Sequence, residues 1–408
     1  MFLPISPSHN TTNFFLIFPQ KRNSTKIMKS TIAALLISSA TAATWSNPGA
    51  IAAAATGVGA GSATTAFVAA GSNSVGAEIL KTTDDGKTYS TETTAGTPFL
   101  LLDAGSNSAT SAVVNGLFGA QYTADGSKFK SSTGGGGQGQ SVEGFGKNSY
   151  GIAGTFGGNG VAVSTDGGAT FDAHPVGAAL DANHPARYAA YPSDTTWYVS
   201  AGAWPHTSSK DLDDEKSVLI KHLNERVQIR KDRETGDFFY NRLNLEQLGS
   251  PNNVTQYTGA IAKTTDGGKT WKNVFQQDGS FYFNGIHCHD EEHCIAVAEG
   301  HNCANPGAHI FTTHDGGANW NQTMFEAGAG SGIMGARMVS ATEGWAAGGK
   351  GSNLSFEGQF WHTTDAGNSW TNEPLKGMLA MGIDCFDADH CFAPGITLGR
   401  QGTVAVFK

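Results

Sequence analysis

One short phrase recurs along the chain. It reads "KTTDDGKTY" at Lys81–Tyr89, "VSTDGGATF" at Val163–Phe171, "KTTDGGKTW" at Lys263–Trp271, "TTHDGGANW" at Thr312–Trp320 and "HTTDAGNSW" at His362–Trp370. The shared frame is Ser/Thr-x-Asp-x-Gly-x-Thr/Ser/Asn-aromatic. A weaker copy, "YTADGSKF", places Asp125 midway between Asp84 and Asp166. Each residue type in the frame has a local task in a β-hairpin. The carboxylate accepts hydrogen bonds from the turn's own N–H groups. The glycine takes a backbone angle closed to other residues. The aromatic residue opens the next strand and buries its ring between sheets. A residue repeated around a fold is a poor candidate for a single active site. Asp84, Asp125, Asp166, Asp266, Asp315 and Asp365 are therefore expected to brace turns.

This phrase resembles the Asp box, or BNR repeat. The resemblance implies an all-β fold, a β-propeller in which each box joins the third and fourth strands of a blade. The spacing agrees with one box per blade. Asp84, Asp125 and Asp166 stand 41 residues apart, and Asp266, Asp315 and Asp365 stand 49 and 50 apart, within the usual blade period of about 40–50 residues. The step of 100 between Asp166 and Asp266 calls for an insertion. "TTWYVSAGAWP" reads as the second strand of blade 4 and "YTGAIAKTTDGG" as its third. Between them, residues 206–256 turn charged, with helical spacing at Ile220, Leu223 and Val227 and a hairpin signal in "ETGDFFY". Six boxes make six blades. The segment after Trp370 supplies three strands and no box, so a fourth must come from elsewhere. The expectation is a seven-bladed propeller of four-stranded antiparallel blades, closed by the N-terminal segment around Thr44-Trp45 and carrying a mixed insertion in blade 4. Closure removes open sheet edges.

The formal net charge of −9 argues against nucleic acid as a partner. No apolar run reaches the length of a membrane span, about 18 residues. "MKSTIAALLISSATAA" at Met28–Ala43 has the Lys, short apolar stretch and Ala-x-Ala ending of a secretory signal peptide. Residues 1–27 read as a mispredicted extension or as the front of a longer targeting signal. Residues 1–43 are thus a leader, and the propeller spans 44–408. Cys288 with Cys294, and Cys385 with Cys391, flank two similar polar turns, and each pair can bridge its own hairpin in an oxidising compartment. Cys303 is left over. His287, His289 and His293 surround the first pair, but the second copy keeps only His390, so the pattern reads as disulfides and not as a metal site. No cofactor is expected. Asn253, Asn321 and Asn353 head glycosylation sequons.

The propeller register assigns faces. The 1–2 turns, including both cysteine turns, share one face with the boxes. The 2–3 and 4–1 connections lie on the other, where the insertion and two long loops would gather. That second face is the expected binding surface. The candidate ligand-binding residues there are Glu299 and His301, Lys350, and the three arginines outside leader and insertion, Arg187, Arg337 and Arg400. Arg187 and Arg337 are placed at the starts of inner strands and Arg400 in the last 2–3 loop. An arginine patch would suit carboxylate or phosphate groups.

"ARMVSATEGWAAGGKG", the box at His362–Trp370 and "IHCHDEEHCIAVAEG" resemble the blade pattern of the photosystem II stability and assembly factor propellers and their secreted relatives. That resemblance covers most of 44–408 and implies a seven-bladed module without catalytic groups that binds protein partners. Sialidases are a more distant resemblance, and their leading Phe/Tyr-Arg-Ile-Pro element is absent. The expected function is a secreted, monomeric binding or scaffold module for a protein or glycan, with no catalytic residues. The alternatives are a divergent sialidase-type glycoside hydrolase and, for location, the thylakoid lumen.

Overall fold

Seven antiparallel sheets follow one another along the chain and stand around a central channel. In the computed structural model the described residues are 43–47, 49–51, 54–72, 76–93, 101–116, 119–134, 139–154, 159–205, 230–231, 238–239, 254–301, 303–328, 330–352, 354–399 and 401–408. The leader, including the signal-like segment, and most of the 206–256 insertion lie outside them, as do Arg400, Asn253 and Asn353.

The inner strands are Ala54–Ala60, Leu101–Ser108, Ser141–Phe145, Ala186–Ala190, Tyr282–Cys288 and Ser331–Met338 for blades 1 to 6. Blade 7 has a broken inner strand, Met378–Ala380 and Asp384–Asp387, and both pieces pair with His390–Thr397. These strands are narrow by composition. A Cβ on Gly59 would sit 2.7 Å from the backbone of Gly105, and one on Gly335 would sit 3.0 Å from the Cα of Gly382. Glycine is needed wherever one inner strand lies flat against the next, so channel walls as well as turns draw on the 54 glycines of the chain.

Ring closure is as expected. Trp45 and Ser46 pair with Phe407 and Val406, forming the outer strand of blade 7. Ala50 and Ile51 extend the pairing to Thr403 and Gly402. The long step between Asp166 and Asp266 arises in blade 4, whose second strand ends at Ala203 and third begins at Thr258. Within that interval Arg230–Lys231 pairs with Phe238–Phe239, a hairpin around the "ETGDFFY" signal.

One feature departs from the purely antiparallel expectation. Thr133–Gly134 runs parallel to the outer strand Thr170–Pro175 of blade 3. The connection from blade 2 must travel from periphery to channel, and here it pairs with an otherwise open edge on the way.

The repeated turns are alike in detail. In blade 4, Thr264 Oγ1 donates to Asp266 Oδ1 at 2.8 Å and accepts from Gly268 N at 3.1 Å, while Thr270 N and Oγ1 donate to the two carboxylate oxygens at 2.9 and 2.6 Å. The bonding recurs at Asp84, Asp166, Asp315 and Asp365. The copy at Asp125 is one residue shorter and still closes, through Lys128 N at 2.8 Å.

Such bonds are stronger to the ionised acid than to the neutral one. The side-chain and backbone donors of Thr270, Asn319 and Ser369 hold Asp266, Asp315 and Asp365 down at about 2. A depressed carboxylate stabilises the fold above its unfolded value of about 3.9 and loses that contribution as pH falls through its folded value. The thermal midpoint is therefore expected to fall between about pH 4 and pH 2, and the fall should shrink in an Asp266→Asn, Asp365→Asn double variant. A midpoint that rises on acidification over this range contradicts the assignment.

Both cysteine turns carry disulfides, Cys288–Cys294 and Cys385–Cys391, and Cys303 is free. No helix among the described residues is long and apolar enough to cross a membrane.

Candidate functional site

Inner strands start at the second face and end at the face of the aspartate turns. Arg187 is the second residue of its strand and lies toward the second face. It is 1% exposed. Its Nε donates to Phe283 O at 2.8 Å and its Nη2 to Asn284 Oδ1 at 3.1 Å. The guanidinium carbon lies 5.0 Å from the ring centre of Tyr282 and 5.5 Å from that of Trp204, within cation–π range. Glu299 is fully buried. It accepts from Tyr282 Oη at 2.6 Å and from Ile333 N at 3.2 Å, and His301 Nε2 stands 3.5 Å from the same carboxylate. Burial, and then the charge of Glu299, push the Tyr282 phenol well above its ordinary value, so it remains a donor.

Tyr282 thus joins Arg187, Glu299 and His301 into one cluster beneath the root of the insertion. The cluster is sealed, and it holds blades 4, 5 and 6 together. Lys350 is half exposed and paired with Glu326. Asn321 is exposed at the start of the outer strand of blade 5.

Arg337 differs from expectation. The sequence reading puts it at the start of an inner strand, on the second face. The strand runs from Ser331 to Met338, so Arg337 is its penultimate residue and lies at the opposite end, beside the turn to Gly344. The glycine-rich stretch before it is already strand, which moves the start back to Ser331. Arg187 and Arg337 therefore form no joint patch.

Arg337 belongs to a different assembly. Its Nε lies 3.1 Å from Asp384 Oδ1 and its Nη1 lies 3.9 Å from Glu143 Oε1. Glu143 Oε1 is also 3.3 Å from His287 Nε2. Asp384 Oδ2 accepts from Ala60 N at 2.8 Å. Met338 N donates to His287 Nδ1 at 3.0 Å, which leaves the imidazole proton on Nε2, facing Glu143. Burial, with Arg337 second, lowers the imidazole's proton affinity and keeps it neutral. Burial raises the Asp384 carboxyl, and Arg337 opposes that.

One network thus ties blades 1, 3, 5, 6 and 7 across the channel. Above it a cavity of about 260 Å³ opens to the aspartate-turn face, lined by Glu143, Tyr191, His287, Arg337, Cys288 and Cys385, with Phe386 at the rim. Phe386 is 53% exposed. The interior of the channel below adds Asp103 and Asn284.

Glu143, His287 and Asp384 are not among the sequence candidates. They are single charged or polar residues far apart in the chain, and the sequence reading weighs His287 only as a metal ligand. His287 and Asp384 each directly precede the first cysteine of a repeated turn, which is the signal that could have found them; Glu143 has no such mark.

No protein-family model matches the chain, and no curated protein matches it. Solved structures do. The WD40 β-propeller domain of Doa1 superposes with a TM-score of 0.51 at 11% identity, covering 90% of this chain and 97% of that one. YCF48 bound to a D1 peptide gives 0.48 at 13%, covering 89% and 96%. YCF48 from Cyanidioschyzon merolae gives 0.47 at 13%, covering 89% and 98%. The likeness is one of fold: the chain is a seven-bladed β-propeller, and the YCF48 propellers are among the structures it resembles.

Proposed function

We propose that this chain is a non-catalytic binding module that takes a segment of a partner protein at the channel mouth on the aspartate-turn face. The observation that carries this reading is the open cavity whose floor is the Arg337–Asp384–Glu143–His287 network. Its charged groups are held in place by partners from several blades, so little ordering cost remains when a ligand arrives. Two disulfide-pinned turns frame its rim, and an exposed aromatic stands beside it. The second face has less to offer a partner, because Arg187 and Glu299 are buried there, at 1% and 0% exposure. The disulfides and the signal-like leader support a secreted protein in an oxidising compartment.

The test is an array of randomised decapeptides probed with the purified chain. Retention of a subset by the wild type, with the retained subset changed in both Phe386→Ala and Arg337→Ala, is expected. Retention that ignores both substitutions removes the channel mouth as the site.

A hydrolase reading has one observation in its favour, the Tyr282–Glu299 hydrogen bond beside Arg187, since a phenol with a carboxylate partner can serve as an activated nucleophile. Both groups are buried, which opposes access by a sugar. Aryl sialosides are expected to turn over no faster with the protein than in buffer. Turnover abolished by Tyr282→Phe would establish the hydrolase instead.

A further inference from the structure

The cavity at the channel mouth has an unbalanced charge. Arg337 is the cation on its wall. Its Nε is engaged by Asp384, and that pair is close to neutral. Glu143 faces the same space, with Arg337 Nη1 no nearer than 3.9 Å and a neutral His287 as its other neighbour. Asp103 adds a third carboxylate deeper in the channel, where its Oδ2 accepts from Val142 N at 3.0 Å. One guanidinium thus meets three carboxylates.

The rim repeats the imbalance. The turns between inner and second strands carry Asp194, Asp290, Glu291, Glu292, Glu343 and Asp389 against the single basic residue Lys147. Some of this charge is compensated locally: His362 Nε2 is 2.9 Å from Glu343, His293 binds Asp290, and Lys263 is drawn toward Glu291 and Glu292. Glu291 and Glu292 are nevertheless exposed. The lysines of the outer turns, Lys87, Lys128 and Lys269, stand on the periphery next to the braced aspartates.

We infer that the channel mouth selects a partner segment carrying a lysine or arginine, whose cationic head enters the cavity beside Glu143 while its neighbours rest on Phe386. This deepens, and rests on, the binding reading above. Low-dielectric walls and a one-sided rim focus the field on the mouth, so the rim accelerates encounter and Glu143 holds the docked cation. An aliphatic stem suits the space above Tyr191 and the disulfide, with the charge at its tip. A free carboxylate in the same place would face Glu143 and Asp384 with only the already engaged Arg337 to offset them, and is disfavoured.

The randomised decapeptide array, read for composition, tests this on the full chain. Retained peptides are expected to be enriched in Lys or Arg about tenfold over input, with retention falling as salt rises from about 50 to 200 mM. Glu143→Gln should remove most of the enrichment. Because that substitution touches a network across the ring, the exposed pair Glu291→Gln, Glu292→Gln serves as a second variant. It should reduce the enrichment part-way and leave thermal unfolding unchanged. Enrichment in Asp or Glu that disappears in Arg337→Ala overturns the cationic specificity and leaves the binding reading standing. Retention with no charge preference also overturns it. No retention depending on Arg337, Glu143 or Phe386 overturns both.

Discussion

Trp45→Ala is expected to destabilise the propeller by about 3–5 kcal/mol, the range for truncating a large buried aromatic. Trp45 is 8% exposed. Its ring stacks on Phe360 with centroids 3.9 Å apart and meets Trp345 and Phe407 at 5.5 Å each. It is also where the ring of blades closes, because Trp45 pairs with Phe407 and Thr44 N donates to Lys408 O at 3.1 Å. Truncation therefore leaves a cavity between blades 6 and 7 and loosens the strand that covers an open edge. Guanidinium titration of the purified chain measures the loss. Deletion of residues 44–51 should be more severe and should add aggregation, since it exposes the edge of Gly402–Phe407 to other chains. A Trp45→Ala protein within about 1 kcal/mol of wild type would show that closure does not depend on this strand.

Arg187→Ala should cost about 3 kcal/mol, and Arg337→Ala far less. Removing Arg187 strands Phe283 O and Asn284 Oδ1 inside the protein and empties the space between the rings of Tyr188, Trp204 and Tyr282. Lysine cannot substitute, because the two bonds come from different nitrogens of a planar fork and an ammonium has no such geometry. Arg337 is 27% exposed along its side chain, far more open than Arg187 at 1%, so its loss is felt in binding more than in folding. Denaturant midpoints of Arg187→Ala, Arg187→Lys and Arg337→Ala separate the two roles. Equal midpoints for the two alanine variants would undo the assignment of Arg187 as an internal brace.

The contrast between these arginines marks where the sequence stops being informative. The blade count, the turn role of the six aspartates, the disulfide pairs, the position of the insertion and the borrowed closing strand all follow from local chemistry repeated at a regular period. A Ser/Thr-x-Asp-x-Gly phrase closes its turn with its own atoms, so its meaning needs no distant partner. The parallel addition at Thr133–Gly134 and the strand limits around Arg337 depend on how a connection or a glycine-rich run packs against its neighbour, and neither is written locally. The same holds for the two polar clusters. Glu143, His287, Arg337 and Asp384 lie on four different blades, and Tyr282 meets Arg187 across another blade boundary. Their meeting is produced by ring closure, which brings seven inner strands within reach of one channel. Pairing energies and burial then decide which charges are consumed and which stay open. The sequence by itself determined the scaffold, because scaffold contacts repeat over short range; only the tertiary structure decided the site, because its contacts occur once each and at long range.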